Sequence, residues 1–158
     1  MPTNTNIDQV HVSALQFATF QVGDLLLGID IRQVQEINRN LQITPVPHAP
    51  TAVCGVINLR GEVVTVIDLR TVLGLDKLEL TRQTRNVILK HSSEQIGLLV
   101  DSVAEVITCE ADDIDPLPEN LAGRESVCFS GVYKLPHGLL VVLNVAETLA
   151  SLGETAAS

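Results

Sequence analysis

Aromatic residues are scarce: the 158 residues contain no Trp, one Tyr and three Phe. Four rings, Phe17, Phe20, Phe129 and Tyr133, are too few for the stacking platforms that hold single-stranded bases. A core without aromatics must be built from Val, Ile and Leu, which favour strands. Positive charge is scarce as well. Ten Lys and Arg stand against nineteen Asp and Glu, giving a net charge of -9 and a pI near 4.7, so the chain repels a phosphate backbone and nucleic acid is excluded as a partner. The three cysteines, Cys54, Cys109 and Cys128, are odd in number, far apart and without a C-x-x-C pair, which reads as small buried hydrophobes in a reducing compartment. Long apolar runs are missing. The longest, Leu139 to Val145, is interrupted by Asn144 and falls far short of the ~18 residues of a membrane span. Met1 to Asp8 lacks the basic and apolar regions of a secretory leader. The expectation is a cytoplasmic protein with no direct membrane insertion.

Chemical motifs are missing too. There is no G-x-S-x-G, no phosphate-cradling G-x-x-x-x-G-K-[ST] and no G-x-G-x-x-G. His11, His48, His91 and His137 are isolated, with no ligand spacing that would hold a metal. The acidic run Glu110 to Asp115 lacks the glycine at position six and the glutamate at twelve of a calcium loop, and reads as a solvated loop. A hydrolase would have to be assembled from Glu62, Asp68 or His48; surface charge explains the two carboxylates at lower cost. The expectation is a protein that is not an enzyme and has no catalytic, cofactor or metal residues. A small-ligand-binding β domain stands as the alternative.

What the sequence does contain is short strand-like runs, at about 14–22, 24–30, 42–46, 53–59, 62–69, 86–91, 95–100, 103–109, 128–135 and 138–144, punctuated by turn signals such as Gly23-Asp24, Arg60-Gly61 and His137-Gly138. Helical signals are confined to a turn at Ile31 to Ile37, a piece near Arg70 to Leu73, and a final helix from Asn144 to Leu152 that Gly153 would end. An internal repeat organises these runs. Gly28-Ile29-Asp30-Ile31 with Val34 and Glu36 recurs 69 residues later as Gly97-Leu98-Leu99-Val100 with Val103 and Glu105. Gly55-Val56-Ile57-Asn58-Leu59 and Val66-Ile67-Asp68-Leu69 recur 76 residues later as Gly131-Val132-Tyr133-Lys134-Leu135 and Val142-Leu143-Asn144-Val145. Two tandem copies of about five strands each cannot leave long apolar edges exposed, so each closes into a small β-barrel. The expected division is a first barrel over 14–82 and a second over 83–152 carrying the C-terminal helix, with flexible tails at 1–13 and 153–158.

The hairpin 53–59/62–68 is apolar on both faces. A two-residue turn pairs Leu59 with Glu62 and Ile57 with Val64, placing Val53, Ile57, Leu59, Val64 and Val66 on one face, and Cys54, Val56, Val63 and Ile67 on the other. The second face either packs on the sister barrel or meets a protein partner. Arg60 at its tip is not required by the turn, since Pro136 holds the matching place in the second copy. Glu105 holds the place of Glu36, which leaves both a structural and a contact role open for that glutamate.

The run Val53-Cys54-Gly55-Val56-Ile57-Asn58-Leu59-Arg60-Gly61 with Val66-Ile67-Asp68-Leu69-Arg70 resembles the signature of CheW-like domains. So do Gly28-Ile29-Asp30-Ile31, Val34-Gln35-Glu36-Ile37 and Ile43-Thr44-Pro45-Val46-Pro47, and the likeness extends from about Ala14 to Leu152. The resemblance implies an all-β fold of two tandem SH3-like five-stranded β-barrels with a short C-terminal helix. It also implies a non-enzymatic adaptor of bacterial chemosensory signalling, flagellar or serving another output such as pili. Such an adaptor couples the cytoplasmic tip of a methyl-accepting chemoreceptor to the regulatory domain of a CheA-type histidine kinase, self-associates in rings, and is recruited to receptor arrays. Carried over by position, Arg60 and Glu36 match receptor-binding residues of the family, with Val34, Asn58 and Leu59 beside them. Kinase contacts are not assigned by the motif.

Overall fold

The computed structural model describes residues 14–119 and 127–157, the last five of them as backbone only. In chain order the elements are β1 Ala14–Val22, β2 Leu25–Asp30, a 3-10 turn Ile31–Gln33, β3 Val34–Asn38, β4 Val53–Leu59, β5 Glu62–Asp68, α1 Leu69–Val72, β6 Arg85–His91, β7 Glu94–Val100, β8 Ser102–Val103, β9 Ile107–Glu110, β10 Phe129–Leu135, β11 Gly138–Leu143 and α2 Val145–Ala157. The fold is all-β with two SH3-like barrels. One sheet runs β3-β6-β7-β5-β4; the other runs β10-β11-β2-β1-β8, with β9 continuing the edge beside β1.

The strands are not shared out as tandem halves. A boundary between 82 and 83 cuts both sheets, because β1 and β2 lie with β8–β11 while β6 and β7 lie with β3–β5. The chain changes sheet only at Ile31–Gln33 and at Asp101, so one sheet is the continuous stretch 34–100 and the other is made from the two ends of the chain. In terms of the repeat, each copy donates its first hairpin to the other copy's sheet.

The repeat itself is exact in register. Val66 lies opposite Gly97 in the parallel β5/β7 pair, and Val142 opposite Gly28 in the parallel β11/β2 pair. Both bulged hairpins place a glycine where another backbone closes in. The Thr44 carbonyl lies where a Cβ on Gly55 would stand, and the Asp115 carbonyl lies 2.8 Å from the Cβ position of Gly131. Thr44 pairs with Val56, and Asp115 with Val132, through two backbone hydrogen bonds each, and these bridges close the barrels. After each hairpin an asparagine or aspartate caps a helix. Asp68 Oδ1 accepts the Arg70 N–H at 3.0 Å, and Asn144 Oδ1 accepts the Glu147 N–H at 3.0 Å.

Several local expectations change. Ile31 to Ile37 is one 3-10 turn followed by a strand, because Asp30 caps only the Arg32 N–H and Val34, a β-branched residue, is already extended. The 42–46 run forms the single Thr44 bridge instead of a strand. The 103–109 run splits into β8 and β9 around 104–106. The final helix continues through Gly153 to Ala157.

The largest core lies between the sheets. Phe20, Leu27 and Ile29 from one meet Ile67, Leu89 and Leu98 from the other, with Val145, Leu149 and Leu152 of α2 packed on them. Ile57, Leu59, Val64, Val66, Ile88 and Leu99 fill the first barrel, and Phe17, Cys109, Leu140 and Val142 the second.

Candidate functional site

The hairpin closes in the expected register, with Leu59 opposite Glu62 and Ile57 opposite Val64. Its two-residue turn has positive φ at both central positions, 51° at Arg60 and 86° at Gly61. This is the primed turn that suits right-twisted strands, and its first position favours Asn, Asp or Gly. A long β-unbranched cation there works against local preference. The second-copy hairpin turns at Pro136-His137 without a positive φ, so that copy forms its turn by another geometry.

Arg60 is held from outside the hairpin. Its Nη1 lies 2.7 Å from Oε1 of Glu36 on β3, with the arginine side chain 71% exposed and the glutamate 27%. Glu36 Oε2 accepts a hydrogen bond from Asn38 Nδ2 at 3.0 Å. The Arg60 guanidinium, and after it the Asn38 amide, hold the Glu36 carboxyl below the usual glutamate range, while Glu36 pushes Arg60 up. Both groups therefore stay charged at neutral pH. The equivalent Glu105 is exposed and joins no ion pair among the described residues; its backbone carbonyl accepts from the Thr19 hydroxyl. The same sequence position thus carries different contacts in the two copies.

The five predicted site residues cluster but do not all face solvent. Asn58 is exposed, and its Oδ1 accepts the Gly61 N–H at 2.8 Å, bracing the turn. Leu59 points inward into the first barrel's core and supports the turn from below instead of offering a contact. Val34 is half-buried against the shared core. Across the hairpin's second face, Ile67 joins the shared core as sister-barrel packing requires, whereas Val63 is 72% exposed.

One groove adjoins this surface at Asn58, and a second lies mainly against the other sheet. The first, polar and of about 510 Å³, is lined by Asn40 to Thr44 and Asn58. The second, more apolar and of about 380 Å³, is lined by Leu15, Phe17, Gln33, His91 and Ala146 among others, and begins one residue before Val34. No sequence pattern joins Leu15, His91 and Ala146; only the exchange of hairpins brings them to one wall.

The residues considered for hydrolysis do not converge. Glu62 and Asp68 occupy opposite ends of β5, about 20 Å apart at strand rise. Asp68 is not a surface charge: it is buried, and accepts from the Arg70 N–H, the Thr71 hydroxyl and the Leu78 N–H. In the acidic run, Asp113 stays exposed and its Oδ2 accepts the Glu110 N–H. Cys109 and Cys128 are buried as expected, and Cys54 is half-buried. Burial first, and then the Asp68 charge, push the Cys54 thiol up to about 11, which removes it as a nucleophile.

Comparison with known proteins covers most of the chain. A family model described as CheW-like domain matches residues 16–153. Chemotaxis protein CheW of Helicobacter pylori is 36% identical over 135 residues, covering 85% of this chain and 81% of that one. Protein FrzA of Myxococcus xanthus is 34% identical over 103 residues, covering 65% and 64%. The crystal structure of scaffolding protein TtCheW from Thermoanaerobacter tengcongensis superposes with a TM-score of 0.75 at 29% identity, covering 82% of this chain and 88% of that one.

Proposed function

Because the chain belongs to the CheW-like domain family, a family of chemotaxis scaffolds, we propose that it couples chemoreceptors to a histidine kinase without bond chemistry of its own. One surface binds the cytoplasmic tip of a methyl-accepting receptor, and another binds the regulatory domain of a CheA-type kinase. Simultaneous binding raises the effective concentration of kinase at the receptor. Recruitment to arrays in the cytoplasm, with self-association into rings, follows from the same role. The output is set by which receptor and kinase it joins.

The observation that supports the receptor surface is Arg60 itself. The turn would form more readily with Asn or Gly, yet it carries an exposed cation aimed by a carboxylate from another strand. An exposed ion pair adds little to folding stability, so its value lies in presenting the guanidinium. Arg60, Glu36 and Asn58 form the contact, with Val34 and Leu59 as its base.

Arg60→Glu tests this. Co-sedimentation with receptor-bearing membranes falls sharply while the thermal midpoint stays near that of the parent. Full co-sedimentation by the folded variant refutes the assigned surface.

A further inference from the structure

The Glu36–Arg60 pair is one side of a closed polar ring. Asn38 donates to the second oxygen of Glu36 and accepts the Asn40 N–H on its own Oδ1 at 2.9 Å. Asn40 Nδ2 donates to the Asn58 carbonyl at 3.3 Å, and Asn58 Oδ1 accepts the Gly61 N–H, next to Arg60. The ring passes from the end of β3 to the hairpin tip and back, so the aim of Arg60 is tied to both elements.

The fold does not call for Asn38, a residue type that strands disfavour, at the end of β3. In the second copy the places of Asn38 and Asn40 hold Ile107 and Cys109, the place of Asn58 holds Lys134, and that copy builds an equivalent sheet with Pro136 at its turn. The asparagines therefore accompany the arginine, not the architecture. A carboxylate bound at one oxygen swings about its own torsions; bound at both, it has one orientation.

We propose that Asn38 is a positioning residue: its amide, itself held by the Asn40 backbone N–H, locks the Glu36 carboxylate so that Arg60 is presented in a single orientation. Its importance for binding rests on the reading of Arg60 as the receptor contact. The low titration range of Glu36, caused by Arg60 and then by Asn38, agrees with this geometry.

The test uses the full chain with Asn38→Leu and Asn38→Val, neither of which keeps the amide donor or adds a charge. Carbon-13 NMR follows the Glu36 carboxyl titration, and the guanidinium NηH signals report the restraint on Arg60. In both variants the Glu36 midpoint should rise and the Arg60 signals should exchange faster. A midpoint and signals unchanged in both folded variants overturn the proposal, as does a fall in thermal midpoint alone, which a purely structural asparagine would give. Receptor co-sedimentation is read in parallel. A loss of roughly threefold to tenfold, which shrinks when Asn38→Leu is made in a Glu36→Gln background, supports action through Glu36. A moved Glu36 midpoint with unaltered co-sedimentation supports the positioning and removes the receptor reading instead.

Discussion

Arg70 and Asp101 join the two sheets where the chain crosses between them. Nη1 of Arg70, on α1, lies 2.7 Å from Oδ2 of Asp101, and the same oxygen accepts the N–H of Gly23 in the β1–β2 turn at 2.9 Å. The Asp101 N–H donates to the Gln21 carbonyl, and Arg70 Nε donates to the Asp76 carbonyl. Both side chains are about three-quarters buried, so this bridge is far less screened than the one at the hairpin tip.

Arg70→Ala strands the Asp101 carboxylate beside a covered surface. Urea unfolding should show a loss of about 1–3 kcal/mol. Asp101→Asn keeps an acceptor for Gly23 and should cost less. A loss below ~0.5 kcal/mol in Arg70→Ala would mean that the bridge does not hold the sheets together.

Division of the chain at 82/83 offers a second check. Each fragment carries a hairpin that belongs in the other's sheet, and each lacks one of its own. Neither should give a cooperative thermal transition alone, and mixing the two should restore one. Independent folding by either fragment would contradict the exchanged strands.

Replacing Arg60 by Asn separates folding from binding. Asn suits φ near 51° better than Arg does, so the thermal midpoint should hold or rise, by up to about 2–4 °C. Receptor co-sedimentation should nevertheless be lost. A variant that binds as the parent does would show that the guanidinium is not the contact.

The Cys54 thiol carries a pH signature. Its folded value near 11 lies above the unfolded value of about 8.5, so its contribution is whole below pH ~8.5 and is lost as pH rises toward 11. Alkylation by iodoacetamide should be slow at pH 8 and accelerate only toward pH 11. Cys54→Ser, which has no such titration, should show a shallower fall in stability across that window. Fast alkylation at pH 8 in the folded protein would refute the buried, neutral thiol.

Much of the local structure was legible because it depends on neighbours in the chain. The register of the β4–β5 hairpin, its inward face and the apolar side of α2 follow from alternation, a two-residue turn and helical spacing. The repeat was legible to the residue, and the glycines that define it sit where another backbone or side chain approaches closely. The site was legible only as a cluster of motif residues. Motif position placed Leu59 among the contacts, but alternation along β4 turns it inward. Asn38 and Asn40 carried no signal, because their meaning depends on a hairpin about twenty residues away.

An all-β chain of two matching units, the strands within them and the residues at the hairpin tip all follow from local sequence patterning. Alternation, turn chemistry and composition are properties of short stretches, so no partner is needed to read them. Tertiary structure decided which hairpin joins which sheet. The backbone hydrogen bonds of a ladder do not distinguish Gly28 from Gly97, and both first hairpins carry a glycine followed by an aliphatic residue in their second strand. The choice is made by the corners at Ile31–Gln33 and Asp101, by the Arg70–Asp101 bridge and by the core buried between the sheets. Tertiary structure also decided the fate of Arg60, whose carboxylate partner stands on a strand that the hairpin's own sequence never mentions.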